Sequence, residues 1–346
     1  MSALERARGA LYGLAIGDAL GMPTETFSRE QITARWGPAL TGFEPAPPGH
    51  PIAAGLSAGA VTDDTEQAVL LARLLVKGSG RIDARELADA LVNWERDMTA
   101  RGSRSLLGPS TKRALEAIRH GVPPDEAGRH GDTNGAAMRI APVGIAFAAP
   151  APSGADDRVA DEDREALVGH VVEASRVTHN TSVALAGAAA VAAAVSAGVG
   201  GANMAGATGA GIAAARLAAR RGHWVAGADV AARIEWAAGL VREAGPARAA
   251  GLIGTLVGTS LATQESVPAA FAVLSAVPGD PWQACLLAAS LGGDTDTIAA
   301  MAGAIAGACH GQSAFPPHAI ATIDAHGFAL PDLAGALLAL RAGEAR

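Results

Sequence analysis

Apolar residues recur along this chain at helical intervals and almost nowhere alternate. Residues 2–20 carry an apolar face that stops at Gly21 with Pro23 just beyond, an ordinary helix end. Asp83-Ala84-Arg85-Glu86 reads as a capping box that opens a helix to about Ala100. The same reading predicts helices over 106–119, 136–148, 158–177, 180–197, 205–221, 226–243, 249–259, 267–276, 281–291 and 295–309. Asp280-Pro281 puts a cap residue ahead of a first-turn proline. Period-two strands are nearly absent, so the pattern predicts an all-α fold, taken as one domain over residues 1–346. From Gly37 to Gly59 the pattern lapses: Pro38, Pro45, Pro47, Pro48 and Pro51 crowd a stretch with no amphipathic period. That stretch leads straight into Thr62-Asp63-Asp64 and reads either as a lid or as a plain surface strap.

Two acidic clusters head long apolar runs. Thr62-Asp63-Asp64-Thr65 precedes Ala68 through Ala72, and Gly293-Asp294-Thr295-Asp296-Thr297 precedes Ile298 through Ile305. A helix N-terminus favours one carboxylate, and each pair taken alone reads as a cap with a first-turn acid. Four converging aspartates are another matter, because like charges at close range raise one another's pKa and cost stability. If the two helix starts meet, a cation belongs between them. Thr62, Asp63, Asp64, Asp294, Asp296 and Thr297 offer hard oxygens, which suit Mg²⁺ or Mn²⁺. No His/Cys group has zinc-ligand spacing. Four aspartates balance two divalent ions.

Composition narrows the function classes. With 49% hydrophobic residues in 346 the chain can bury a large core, and its 43 Gly with 3% aromatics suit helices packed closely through small residues. A net charge of −7 disfavours nonspecific nucleic-acid binding and a basic membrane-surface role. Residues 183–215 are uncharged, but they are mostly Ala and Gly, broken at Gly198, Gly200 and Gly201, and no membrane span is expected there. Cys285 and Cys309 both lie in apolar runs, and Met1-Ser2-Ala3-Leu4-Glu5-Arg6 lacks the order of a signal peptide, so a cytoplasmic location is expected. Arg96, Arg101, Arg104, Lys112, Arg113 and Arg119 form a basic stretch that reads as a solvated helix face.

Several segments together resemble the ADP-ribosylglycohydrolase family, which includes the dinitrogenase-reductase-activating glycohydrolase and the animal ADP-ribosyl-acceptor hydrolases. They are Gly13-Leu14-Ala15-Ile16-Gly17-Asp18-Ala19-Leu20-Gly21 with Glu25, then Thr62-Asp63-Asp64-Thr65, and Asn134 through Arg139 with Pro142. Thr178-His179 and Leu291 through Thr297 complete the set, in family order, along nearly the whole chain. The resemblance implies an all-α hydrolase that holds two Mg²⁺ or Mn²⁺ ions. It implies cleavage of an N- or O-glycosidic bond at the anomeric carbon of ADP-ribose, in ADP-ribosylated protein or a related conjugate. Carried over by position, Thr62, Asp63 and Asp64 bind metal from one side and Asp294, Asp296 and Thr297 from the other. Glu25, Asp63, Asp64 and Asp296 become the catalytic acids, with Glu25 either activating water or orienting the ribose.

Asp18 resembles a residue that supports the site from behind, and Asp132, Thr133, Asn134, Gly135 and His179 become substrate-binding. The chain departs from the family pattern at Thr133, where many relatives have glycine, and at Asp132. That departure leaves a small nucleoside or other N-riboside as an alternative substrate. A non-catalytic ligand-binding or structural relative is a third reading, but such a protein is expected to lose metal ligands, and this chain has all of them.

Overall fold

The computed structural model describes residues 1–101, 107–148 and 157–344, except for the side chains of 157–161 and 344. Arg104, in the basic stretch, and Leu106, at a predicted helix start, lie outside the described residues. Among those described there is no strand, only two isolated bridges, Thr133 with Ala262 and Thr181 with His223. The helices are α1 (Ala3–Gly21), α2 (Arg29–Trp36), α3 (Asp63–Lys77), α4 (Ala84–Ala100), α5 (Pro109–Arg119), α6 (Pro124–Ala127), α7 (Gly135–Met138), α8 (Ala141–Ala146) and α9 (Asp157–Ser175). They continue as α10 (Ser182–Val199), α11 (Met204–Ala218), α12 (Val230–Val241), α13 (Pro246–Leu252), α14 (Thr263–Ala276), α15 (Pro281–Ala289), α16 (Thr295–His310), α17 (Pro317–Asp324) and α18 (Leu330–Glu344). The all-α expectation holds.

At the centre α10 and α16 are buried along nearly their whole length, with α1, α8, α11, α14 and α15 packed around them in one continuous apolar cluster. α10 is the one described helix long and apolar enough to cross a membrane, and 94% of it is covered by the rest of the protein. A helix apolar on every side is what a packed core requires of its central member.

The α1–α16 contact sets the geometry of everything that follows. Gly9, Gly13, Gly17 and Gly21 recur every four residues and so form one stripe along α1. A methyl group added at Gly13 would fall 2.0 Å from the Gly303 carbonyl oxygen, at Gly17 2.0 Å from that of Ala299, and at Gly9 2.3 Å from that of Gly307. At Gly21 it would meet the Asp296 Cα at 2.4 Å. The two main chains therefore touch along four turns, and the last point of contact is the residue that carries an acid of the second cluster.

Local chemistry explains where the helices depart from the predicted boundaries. The helix expected over 136–148 is two short ones, α7 and α8, broken at Arg139-Ile140, because Pro142 lacks the N–H that would continue the ladder. The helix expected over 249–259 is α13 running into a π-helical turn, Ile253–Val257. That expected over 226–243 begins only at Val230, because the Asp229 side chain accepts from the Ala232 amide at 2.7 Å and caps it there. Pro268 sits inside α14 without breaking it: the Gln264 carbonyl that it leaves free accepts from Arg233 Nε at 3.1 Å. The apolar period does not predict α2, α6, α17 or α18.

Candidate active site

Asp18, near the end of α1, lies fully buried against the first turn of α3. Its carboxylate accepts from the Thr62 amide at 3.0 Å, the Thr62 hydroxyl at 2.8 Å, the Thr65 amide at 3.1 Å and the Thr65 hydroxyl. Thr62 makes no cap bond of its own to α3, so Asp18 caps that helix from a neighbouring one. Both oxygens of Asp18 are thus held by donors of the first cluster.

Around this anchor the two clusters meet. Carboxylate oxygens of Asp18, Asp64 and Asp296 lie within 4.8 Å of one another, and so do those of Glu25, Asp294 and Asp296. Asp296 belongs to both trios; Asp63 belongs to neither, and its Oδ2 accepts instead from Gln67 Nε2 at 2.9 Å. Thr297 donates toward Asp64 Oδ2 at 3.4 Å, while its amide donates to Asp296 Oδ1 at 2.9 Å. Asp64 Oδ1 is buried and has no hydrogen-bond partner.

Every acid of the group pays for this crowding. Burial, followed by the Asp296 charge, pushes Asp64 well above the carboxylate range, and burial with Asp294 does the same to Asp296. Burial and the charges of Asp296 and Asp294 raise Glu25 strongly. Asp63 rises to about 7 through burial and Asp18. Asp294 rises through burial to about 6, held back by the hydrogen bond from Asn134.

Glu25 follows a short 3₁₀ turn that is tied to α15 and α16: the Thr24 hydroxyl donates to the Ala289 carbonyl at 2.7 Å and the Thr295 hydroxyl to that of Gly21 at 3.0 Å. Gly292 and Gly293, at φ +86° and +82°, turn the chain into Asp294, and a side chain at Gly293 would strike the Thr259 carbonyl at 2.3 Å. Beside these residues opens a crevice of about 310 Å³, lined by Glu25, Thr26, Asp294 and Ser260 through Ala262. Across the Gly292-Gly293 turn lies a larger cavity of about 780 Å³, lined in part by Arg29, Thr33, Thr255 and Thr259. The Pro-rich strap is anchored beside Glu25: Ala46 and Ala53 pack on Met22, and the His50 ring meets Phe27 edge-on at 5.0 Å.

The 131–135 loop closes another side. The Asn134 amide N–H donates to the Leu261 carbonyl at 3.0 Å, and Thr263 Oγ1 donates to that of Asp132 at 2.8 Å. Asn134 is buried, and its side-chain amide donates to Asp294 and, at 2.9 Å, to Ser266 Oγ. Asp132 is exposed; Thr133 and Gly135 are half-buried. His179 lies wholly beneath this loop, and a methyl group at Gly135 would meet its Cε1 at 2.9 Å. Its Nε2 lies 3.0 Å from Thr133 Oγ1 and its Nδ1 2.8 Å from Thr178 Oγ1.

Two residues near the site have no role assigned from the sequence, although Arg139 ends one of the segments that carry the family resemblance. Arg139, about 1% exposed, donates to Gln67 Oε1 at 2.8 Å and to Thr178 Oγ1 at 2.6 Å, and its Nε has no partner. Burial lowers its pKa to about 10. Gln67 relays that contact to Asp63. The available signals were a single charge within the apolar run Ala136–Ala146 and a polar residue one turn beyond Asp63. In the basic stretch Arg101 pairs with Glu66 at 3.4 Å and Arg113 donates to the His130 carbonyl at 2.9 Å.

Comparison with known proteins gives one family. The model of the ADP-ribosylglycohydrolases matches residues 1–346. An uncharacterized protein of Escherichia coli K12, YegU, is 38% identical over 93% of this chain and 92% of its own length. The ADP-ribosylarginine hydrolase Tri1 of Pseudomonas putida is 30% identical over 91% of this chain and 73% of its own. Among solved structures, an ADP-ribosylglycohydrolase-related protein complex superposes with a TM-score of 0.69 at 25% identity, covering 98% of this chain and 99% of that one.

Proposed function

Since this chain belongs to the ADP-ribosylglycohydrolase family, we propose that it hydrolyses the bond joining the anomeric carbon of ADP-ribose to a protein side chain or related leaving group. One observation carries the reading: carboxyl groups of three distant segments, around Asp18 and Glu25, Asp64, and Asp294 and Asp296, converge in two trios that share Asp296, with Asp64 Oδ1 unbonded among them. Nothing cationic among the described residues bonds to either trio, and Arg139 reaches only Gln67 and Thr178. An all-oxygen donor set of this kind fits hard divalent cations.

We assign Asp64, Asp296, Thr62 and Thr297 to one Mg²⁺ or Mn²⁺ and Asp294 with Asp296 to a second, with Asp63 and Glu25 beside them. Bound there, such ions supply Lewis-acid polarisation of sugar hydroxyls and acidify water. The chain's own residues do the rest. Asn134, itself held on Ser266, fixes Asp294, and Asp18 fixes the start of α3. Glu25 stands half-buried at the crevice, and burial with the charges of Asp296 and Asp294 raises its carboxyl pKa, the direction that proton donation requires. Hydrolysis breaks the bond from the anomeric carbon to the leaving nitrogen or oxygen. Water contributes hydroxyl to the carbon and a proton to the leaving atom, and Glu25 is the group assigned to carry that proton.

The substrate class rests on family and on the relative named for ADP-ribosylarginine. Both thiols are buried and unpaired, which suits a reducing compartment, and we take ADP-ribosylated cytoplasmic protein as the partner. We treat residues 1–346 as one functional unit, since both acidic clusters depend on α1. The test incubates the protein with ADP-ribosyl-arginine and ADP-ribosyl-serine peptides and a nucleoside panel, with and without chelator, and separates the products. Release of ADP-ribose from the arginine peptide, lost with chelator and restored by Mg²⁺ or Mn²⁺, is expected. No release from any conjugate refutes the proposal, and turnover of nucleosides alone moves the substrate to small ribosides.

A further inference from the structure

We propose that Thr133 is a specificity-determining hydrogen-bond donor, its hydroxyl proton aimed out of the loop by a buried chain that starts at Arg139. The inference rests on the function proposed above and deepens it: it names a group that selects the substrate and the direction of its bond.

The direction follows from counting protons. A guanidinium only donates, so Arg139 Nη2 gives its hydrogen to Thr178 Oγ1 at 2.6 Å. The hydroxyl proton of Thr178 must then go elsewhere. His179 Nδ1 is 2.8 Å away and the Ser175 carbonyl 3.5 Å, so the ring nitrogen takes it. With Nδ1 accepting, the neutral ring carries its proton on Nε2, which donates to Thr133 Oγ1 at 3.0 Å. Burial and the Arg139 charge hold His179 neutral. Thr133 thus accepts from below, and its own proton is left pointing away from His179. No further partner takes that proton among the described residues.

Thr133 is half-buried and pairs across an isolated bridge with Ala262, which lines the crevice beside Glu25 and Asp294. A group that presents only a proton selects an acceptor oxygen on the substrate, either a diphosphate oxygen or a ribose hydroxyl accepting through its lone pairs. Glycine or valine at this position would present nothing. Arg139 is a positioning residue in this arrangement. Its other arm orients Gln67, whose amide then donates to Asp63, so one buried cation sets the polarity of both the acid cluster and the opposite loop.

Two measurements test this on the full chain. The first is calorimetric titration with ADP-ribose and with ADP, in Mg²⁺, of the wild type, Thr133→Val and Thr133→Ser. Loss of a donor to a charged oxygen is expected to weaken ADP-ribose binding about tenfold or more in Thr133→Val, with Thr133→Ser within about threefold of wild type. An equal loss for ADP assigns the acceptor to the diphosphate, and a loss confined to ADP-ribose assigns it to the distal ribose. The second is ¹⁵N spectroscopy of the imidazoles at pH 7 without ligand, which reads the tautomer independently of activity. His179 is expected as the Nε2–H form in wild type and in Thr133→Val, and to lose that preference in Thr178→Val. Wild-type affinity in Thr133→Val, or His179 found as Nδ1–H or doubly protonated, overturns the inference. A wild type that binds no ADP-ribose overturns the proposed function instead, and the imidazole spectra still decide the direction of the chain.

Discussion

Replacing Asp64 by Asn should make the cation-free protein more stable. Asp64 is about 1% exposed, its Oδ1 is unbonded, and its carboxylate lies within 4.8 Å of both Asp18 and Asp296. Two full charges 4.8 Å apart at an effective dielectric constant of about 20 repel by about 3.5 kcal/mol. The folded protein escapes much of this by binding protons, so the relief open to the variant is a fraction of it, on the order of 2 kcal/mol. An unfolding entropy of about 2.1 cal/mol/K per residue over 346 residues turns that into a rise in Tm of about 3 °C in chelator.

The sign with pH is fixed by the direction of the shifts. Acids whose pKa is raised on folding contribute stability at low pH and lose it as pH rises through the folded value, about 6 for Asp294 and about 7 for Asp63. Asp64 is raised in the same direction, so the gain in Asp64→Asn should grow as pH rises from the ordinary carboxylate range toward its raised folded value. Saturating Mg²⁺ should reverse the order, since a cation at about 100 times its Kd adds about 2.7 kcal/mol to a wild type that holds it. Thermal melts followed by tryptophan emission, with chelator and with Mg²⁺, read both effects. An Asp64→Asn variant that melts below wild type in chelator at pH 8, or a wild type indifferent to Mg²⁺ and Mn²⁺, would refute the reasoning.

Asp18→Asn should have the opposite sign to Asp64→Asn: an amide facing the donors of Thr62 and Thr65 uncaps α3 and costs about 1–3 kcal/mol, measured by urea melts in chelator. Asn134→Asp sets a further acid against Asp294; activity or Mn²⁺ affinity should fall roughly 10- to 100-fold, and a variant with wild-type turnover and Mn²⁺ titration would show that Asn134 does not orient the acid. Gly13→Ala should cost about 3 kcal/mol or more, because the new methyl group would sit 2.0 Å from the Gly303 oxygen. Gly169→Ala, in open space on α9, should gain about 0.5–1 kcal/mol. Equal melts for those two variants would argue against the α1–α16 contact.

The helices and both acidic clusters were legible because their signals are local: an apolar period, a cap, a carboxylate ahead of a buried run. Asp83, Asp280 and Gly21 mark ends that the structure keeps. The break at Arg139-Ile140 was written in Pro142, but an unbroken apolar run masked it. Asp18 was visible as a site neighbour, whereas its capping of α3 depends on a helix 44 residues away and has no local trace. Arg139, Gln67 and Ser266 stayed hidden for the same reason, since their partners are assigned only once α3, α7 and α14 stand together. Asp63 read as one more ligand, and only the fold gives its oxygen to Gln67.

The seam where α1 meets α16 has a mechanical consequence. Because carbonyl oxygens rather than side chains set the separation there, rotamer changes cannot widen it, and sliding one helix past the other would drive main chain into main chain. The spacing between Asp18 and Asp296 is thereby inherited from polypeptide geometry itself, so the cradle cannot loosen by degrees on warming. It should hold its geometry up to the point where the whole molecule melts, and lose its grip on divalent ions abruptly there.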